Sequence, residues 1–551
     1  MTRADAKAVH RGGPFGIRPG LLFGGVVVGA LVAPFAARAA GPLRVRGPLA
    51  DSVATAVEEL ADRANVGVLA VSLDRGDTLV ALDESRRFIP GSNTKVFTTS
   101  AFLRSFGPEA RFPTTLEARG KADRGKRGAV RLKGDLILRP AGVPDVVPIL
   151  APGSRGLIDS LAFLARAGGL ERFEGTIWVD GTLFAEEPFG PGWEIEDVPY
   201  SYGAPPAPVF ANGNAATLFA TGGPKGVALT IDPPETPLTL RSDAVVVDAA
   251  TGAIDVHREP ESHVLYVTGA VPRGATLKKQ VSVPDPDSTA GLWLIGAMRR
   301  AGIDVSRAQV RLVPHEIPAA SDHPAATPRH DGAPPPAAPA DTGWAAVTKE
   351  RPSAVVSFRS PPAAAMVGVV LELSLNPEAE GLLRLLDPAS REKRREAGLV
   401  AERQAAARAG IDTLDLSLVD GSGLSPQNLA TPRSLVGWMA ALARDSTLAG
   451  PFRAALATPG ENGTLKRRFA GLPPGADLRA KSGTLTNVSS LSGYVTTAAG
   501  ERIAFAIMTN GNRGSVASAK QLEERIVGML ARRGGAAAEG FSGSVPPRIP
   551  R

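Results

Sequence analysis

Apolar residues recur at helical spacing over residues 50–65, which predicts an amphipathic helix. Val66–Val71 and Thr78–Leu82 read as two strands joined by the polar turn Asp74-Arg75-Gly76-Asp77. Phe97–Phe106 reads as a helix stopped by Gly107-Pro108. From about 110 to 312 the pattern changes: short β-like runs such as Val130–Leu132, Leu136–Leu138, Thr176–Val179 and Val264–Val267 alternate with Gly/Pro turns. Helical spacing returns at Ala363–Leu373, Pro377–Leu386 and Ser390–Ala409. The chain then carries strands at Val488–Thr497 and Arg502–Thr509 and an amphipathic helix at Val516–Ala531. The apolar face of that helix (Leu522, Ile526, Met529, Leu530) suits the cover of a sheet, with peripheral membrane contact as the rarer use.

The two ends of the chain thus each supply a hairpin and a helix. They are expected to meet in one α/β domain, 43–110 with 343–535, into which a β-rich region, 111–314, is inserted. Residues 315–342 hold seven prolines and three of the six histidines, a linker or surface loop rather than a metal tract. Residues 536–551 read as a disordered tail.

Charge adds a second division. The net +7 comes from residues 1–39 (+4) and 532–551 (+3), so the body between is neutral and no basic patch points to nucleic acid. In 1–39 a basic stretch ending at Arg18 precedes an apolar run, Leu21–Val32, and the small-x-small pattern Ala37-Arg38-Ala39. This has the form of a cleaved signal peptide; the run falls short of the ~20 residues that span a bilayer. The protein is therefore expected to work outside the cytoplasm.

With no Cys, thiol nucleophiles and thiolate zinc sites are excluded. None of the six histidines falls in 43–110 or 343–551, and no G-x-S-x-G elbow is present, which sets a Ser-His-Asp hydrolase aside. A lysine amine is the remaining way to activate a serine, because burial can strip its proton and an arginine keeps its own. The chain holds only 13 Lys against 49 Arg. Ser-x-x-Lys occurs at Ser390–Lys393, inside the charge run SREKRRE of a solvated helix face, and at Ser92–Lys95, after Pro90-Gly91 at the start of an apolar helix. There hydroxyl and amine share one helix face, and the helix N-terminus favours a developing oxyanion. Ser92 also has an ordinary use as an N-cap. Ser374-Leu375-Asn376 is the single Ser-x-Asn and Lys481-Ser482-Gly483 the single Lys-[Ser/Thr]-Gly. Taken alone, Asn376 suits an N-cap and Lys481 an edge strand. In this order the three motifs form the set of penicillin-binding proteins and class A β-lactamases.

The chain resembles the D-alanyl-D-alanine carboxypeptidase/endopeptidase family, the low-molecular-mass class C penicillin-binding proteins. The likeness extends over RFIPGSNTKVFTT, PGWEIEDVPYSYGAP, VDGSGLSPQNLATP, and GTLKRRF leading to RAKSGTLTNVSSLSGYV. The separation of 282 positions from Ser92 to Ser374 suits the family's large insert. The resemblance implies a serine transpeptidase-like, β-lactamase-like α/β domain, an antiparallel sheet flanked by helices. It implies Ser92 as nucleophile, Lys95 as base, Ser374 as proton relay and Asn376 on the substrate amide. Lys481 and Ser482 of the Lys-Ser-Gly483 motif would bind the terminal carboxylate, and the N–H groups of Ser92 and Thr484 the oxyanion. Asp180, in WVDGTLF, matches an acid that receives a substrate side-chain amine, and equally suits a turn before Gly181. In RPAGVP, Val143 stands where many members have Asp, which leaves the turn geometry there open. The expected activity is D-Ala-D-Ala carboxypeptidase with endopeptidase activity on peptidoglycan stem peptides, inhibited by β-lactams, with no cofactor or metal. A β-lactamase or esterase of the same fold and a non-catalytic wall-binding protein are the rivals.

Overall fold

The computed structural model describes residues 45–125, 128–314, 343–387 and 393–534. The expected signal peptide, the linker, the tail and the second Ser-x-x-Lys serine, Ser390, lie outside the described residues.

The chain starts with α1 (Pro48–Glu58), which buries Ala50, Val53, Ala56 and Val57. This helix stops short of the expected residue 65, because Asn65 is already paired with Asn510 in a sheet. β1 (Asn65–Ser72) and β2 (Thr78–Leu82) form the expected hairpin, followed by α2 (Thr94–Phe106). The chain then enters the insert through β3 (Pro113–Arg124), β4 (Val130–Arg139), α3 (Leu157–Ala167) and β5 (Leu170–Val179). Two smaller sheets follow, one from Ala215–Gly223, Gly226–Asp232 and Thr276–Ser282, the other from four short strands between 239 and 272. α4 (Pro286–Arg300), β6 (Asp304–Leu312) and β7 (Ser353–Arg359) complete the insert. Helices α5 (Ala363–Leu373), α6 (Asn376–Arg384), α7 (Arg394–Arg408) and α8 (Pro432–Arg444) lead to β8 (Asp477–Leu485), β9 (Val488–Thr496), β10 (Arg502–Asn510) and α9 (Val516–Ala531).

The ends of the chain do meet. A five-stranded sheet runs β8-β9-β10-β1-β2, and β10 pairs antiparallel with β1 from Asn65↔Asn510 to Ser72↔Ile503. Both faces are covered, and the two-residue period of a strand divides its side chains between two cores. Val68, Ala70, Phe505 and Ile507 pack under α1 and α9, with Leu522, Ile526 and Leu530 of α9 at most 2% exposed. That burial removes the face considered for membrane contact. Leu69, Val71, Ala504, Ala506 and Met508 point the other way, into the core shared with α2, α5 and α8. Among the described residues no helix is long and apolar enough to cross a membrane.

The insert is β-rich, as expected, and also carries helices that the sequence pattern did not mark. Its largest sheet, β6-β5-β4-β3-β7, contains the parallel pair β4–β5, and a parallel pair needs a crossover, which α3 supplies. Leu161 and Ala165 of α3 and Leu294 and Met298 of α4 pack with Leu136, Phe173 and Ile177 in a separate core. The boundary expected at 343 also moves. β7 pairs antiparallel with β3 and forms the edge of that sheet, so the insert's sheet extends to Arg359 and the return to the first sheet's core begins with α5.

Candidate active site

Ser92 sits in a 3-10 turn, Gly91–Asn93, that runs directly into α2. The turn is pinned to the sheet by the Asn93 side chain, which donates to Ser490 Oγ (2.7 Å) and accepts from Ser492 Oγ (2.5 Å) of β9. Trp438 Nε1 of α8 donates to Ser100 Oγ (2.7 Å), holding α2 from its other side. One turn along α2 from Ser92, Lys95 is fully buried. Its Nζ donates to Asn376 Oδ1 (2.6 Å) and to Ser422 O (2.6 Å), and lies 3.0 Å from Ser92 Oγ. The orientation of the Asn376 amide is set from behind, since its Nδ2 donates to Tyr202 O (2.9 Å).

Two of the three acceptors around Lys95, the amide and carbonyl oxygens, can only receive protons. A neutral amine has two N–H groups and one lone pair, so these two oxygens use both hydrogens and the lone pair faces the Ser92 hydroxyl. Burial pushes the Lys95 amine down to about 7, against the opposing influence of Asp420, Glu380 and Glu378. The neutral form is thus well populated at neutral pH.

The opposite wall comes from a helix junction and an edge strand. α5 ends at Ser374, in the left-handed region (φ 62°, ψ 41°), and α6 begins two residues later at Asn376 with Pro377 behind it. This reversal directs both motif side chains to one place. Lys481 lies in the middle of β8, not at the end of a strand, and β8 is the edge of its sheet. Lys481 Nζ donates to Ser374 Oγ (2.9 Å) and Ser482 O (2.7 Å). Burial, and then the charge of Lys95, holds its amine well below the usual value. The Ser482 hydroxyl donates to Thr464 Oγ1 (2.8 Å). Gly483 is required by close approach: a Cβ there would stand 2.5 Å from Pro90 O and 2.9 Å from Ser92 N. Ser92, Ser374, Asn376 and Thr484 all line one cleft of about 410 Å³.

Asp180 does not join them. It is fully buried in the insert, where Oδ2 accepts from Arg139 Nη1 (2.8 Å) and Oδ1 from Thr182 Oγ1 (2.6 Å) and Thr182 N (3.1 Å). A carboxylate so engaged is not offered to a substrate amine. The acids that do line the cleft are Glu194 and Asp197, beside Tyr202. These three fall within the stretch PGWEIEDVPYSYGAP, where the sequence marked the block but not the individual side chains.

A second feature missed by motif reading is a buried acidic floor. Glu380, four residues after Asn376 and fully buried, accepts from Gly421 N (2.7 Å) and Ser422 N (2.8 Å) with Oε1 and from Arg384 Nη1 (3.0 Å) with Oε2. It therefore sets the backbone whose carbonyl, Ser422 O, holds Lys95. Asp420 accepts from Gly423 N and Ser425 N (2.7 Å each) and from Trp193 Nε1 (3.0 Å) of the insert. Burial, reinforced by Glu380, pushes the Asp420 carboxyl up to about 6. Arg384 ties the same node to the insert through Glu186 (2.8 Å) and Pro188 O (3.1 Å). The usable sequence signals were a Glu one helical turn after the Ser-x-Asn asparagine and the glycine-flanked DGSG run. Among the described residues no group of three or more acidic or histidine side chains is placed to hold a metal ion.

A serine hydroxyl at a helix start, a lysine amine against it and a second buried lysine across a cleft define an active-serine acyl-transfer enzyme of the β-lactamase-like fold. The chain belongs to the D-Ala-D-Ala carboxypeptidase 3 (S13) family, which it matches over residues 49–323 and 340–533, and is a serine carboxypeptidase of that kind. It is 29% identical over 471 residues to the D-alanyl-D-alanine carboxypeptidase of Actinomadura sp. (strain R39), covering 83% of this chain and 79% of that one. It is 24% identical over 475 residues to the D-alanyl-D-alanine carboxypeptidase DacB of Haemophilus influenzae, covering 84% and 88%. The crystal structure of penicillin binding protein 4 (dacB) from Haemophilus influenzae has the same fold. Its TM-score is 0.68 at 22% identity, over 87% of this chain and 99% of that chain.

Proposed function

We propose that the protein trims the terminal D-alanine from peptidoglycan stem peptides through an acyl-enzyme on Ser92, with endopeptidase activity at the same cleft, outside the cytoplasm after loss of a signal peptide. The observation that carries this reading is the 3.0 Å approach of the Lys95 amine to Ser92 Oγ, with that amine pushed down to about 7.

Lys95 takes the Ser92 proton as Oγ attacks the carbonyl carbon of the penultimate D-alanine. The N–H groups of Ser92 and Thr484 receive the oxyanion; losing one such donor typically costs about 3 kcal/mol of barrier. Asn376 holds the substrate amide, and Ser374, 2.9 Å from Lys481 Nζ, passes a proton to the departing D-alanine amine. Lys481 and Ser482 take the terminal carboxylate, and the arriving negative charge favours the ammonium form of Lys481. Water then releases the acyl group. Glu194 and Asp197 give the cleft an acidic edge suited to a stem peptide carrying a free amine. A β-lactam enters as a mimic of the acyl donor and acylates Ser92.

The test is incubation of the protein with a pentapeptide ending in D-Ala-D-Ala, alongside mass spectrometry of a penicillin-treated sample. Release of D-alanine and a long-lived adduct on the Ser92 peptide are expected. No D-alanine and no adduct would leave the wall-binding reading; an adduct that turns over rapidly would favour a β-lactamase.

A further inference from the structure

The 3-10 turn Gly463–Leu465, in the stretch GTLKRRF, bridges the helix junction and the edge strand that form the wall opposite Lys95. On one side it lies against the end of α5. A Cβ on Gly463 (φ 57°) would collide with Glu372 O, two residues before Ser374. On the other side it meets β8, where the Ser482 hydroxyl donates to Thr464 Oγ1 (2.8 Å). The turn is also anchored to α9 and β9. Leu465 is fully buried in the core that holds Leu522 and Ile526. Arg468 donates to Lys520 O (3.0 Å), Glu523 (2.9 Å) and Glu524 (2.9 Å) of α9. Glu523 is itself fully buried and accepts from Ser489 Oγ (2.7 Å) of β9. Thr464 is exposed, yet the chain on either side of it is fixed, and its hydroxyl is set against a residue of the Lys-Ser-Gly motif.

Counting hydrogens gives this contact a purpose. A hydroxyl carries one hydrogen, and a carboxylate can only accept. As the bond stands, the hydrogen of Ser482 is spent on Thr464, and none is left for the terminal carboxylate of a substrate. The bond can reverse, because Thr464 has a hydrogen of its own. We propose that Thr464 is a positioning residue for the carboxylate end of the cleft: on substrate binding its hydroxyl changes from acceptor to donor and holds Ser482 as a donor to the terminal carboxylate. This role rests on the D-Ala-D-Ala reading of the cleft, in which Ser482 meets that carboxylate. Two hydroxyls in series polarise one another, which strengthens the outer bond to an anion. Without the Thr464 hydroxyl, nothing on this side selects among the staggered rotamers of Ser482.

The test is the kinetics of D-alanine release from a pentapeptide ending in D-Ala-D-Ala, in a double-mutant cycle of Thr464→Val and Ser482→Ala. Valine keeps the shape of threonine and removes the hydroxyl. Thr464→Val is expected to lower kcat/KM about tenfold, mainly through KM, the scale of one hydrogen bond serving a charged group. Thr464→Ser restores the hydroxyl and should stay within about twofold of the wild type. In the Ser482→Ala background, Thr464→Val should cost less than about twofold more, because the residue through which it acts is gone. Three results would each overturn the proposal: Thr464→Val as efficient as the wild type, its full loss repeated on Ser482→Ala, or Thr464→Ser as poor as Thr464→Val. In all three the wild type still releases D-alanine, so the carboxypeptidase reading stands. A wild type that releases none removes that reading, and the role of Thr464 with it.

Discussion

The two lysines of the cleft are both fully buried, yet they stand in opposite surroundings. Lys95 rises from a helical floor that holds Glu378, Glu380 and Asp420, and these acids partly offset the burial that lowers its amine. Lys481 projects from an edge strand and donates to a hydroxyl and a carbonyl, with the charge of Lys95 lowering its amine further. The difference teaches how one site can use two copies of one side chain. The floor holds Lys95 near 7, where it can take and return a proton at neutral pH. On the strand wall the charge of Lys95 adds to burial, and the Lys481 amine is held well below its usual value.

Breaking the floor at its centre should have the largest effect. Lys95→Arg keeps a cation but removes the base, because a guanidinium does not give up its proton. The penicillin acylation rate of Ser92, followed by mass spectrometry, is expected to fall about 10²- to 10⁴-fold. Glu380→Ala comes next. It leaves the guanidinium of Arg384 with Glu186 as its remaining close acid and frees the Gly421 and Ser422 N–H groups. A loss of about 3–5 kcal/mol is expected in urea unfolding, as when one partner of a buried pair is deleted. Glu380→Gln, which keeps an acceptor for both N–H groups, should lose less.

The pH profile sharpens the contrast between the walls. Lys95 acts as a base only when neutral, so acylation should rise with pH up to about 7 and then level off. Below that point the rate should drop about tenfold per pH unit, as expected for a single essential base. A profile flat from pH 5 to 8 would remove Lys95 from that role. The smallest effect is expected at the floor's outer support. Trp193→Phe deletes one of the donors to Asp420 and keeps the ring, for about 1–2 kcal/mol of stability in the same urea assay. Penicillin labelling of Ser92 should survive it.

The α/β frame was readable because its strands and helices carry strong periodicity. The hairpin at 65–82, the closing strands and the helix Val516–Ala531 all lie where their patterns put them. Ser92, Lys95, Ser374, Asn376 and Lys481 were readable because their spacing carries the motif chemistry, and the fold brings them around one cleft. The helices α3 and α4 were not, since the Gly/Pro turns flanking the insert's short strands dominate the local pattern. Asp180 misled because a motif match says nothing about partners: Arg139, 41 residues earlier, takes its carboxylate. Glu380 escaped notice because its role is to receive backbone N–H groups 41 and 42 residues away, and backbone donors leave no mark in side-chain identity.

By itself, the amino-acid order determined which side chains could do the chemistry: it offered no histidine in the core and one lysine a helical turn from a serine before an apolar helix. It also pointed to the two ends meeting in one α/β domain, since each supplies a hairpin and a helix; that they share one sheet is seen in the pairing of β1 with β10. Only the tertiary structure decided that both amines are buried, Lys95 against the opposing pull of three acids and Lys481 with the charge of Lys95 adding to its burial. Desolvation and the placing of carboxylates set the charge of an amine, and both depend on which distant segments are packed against it.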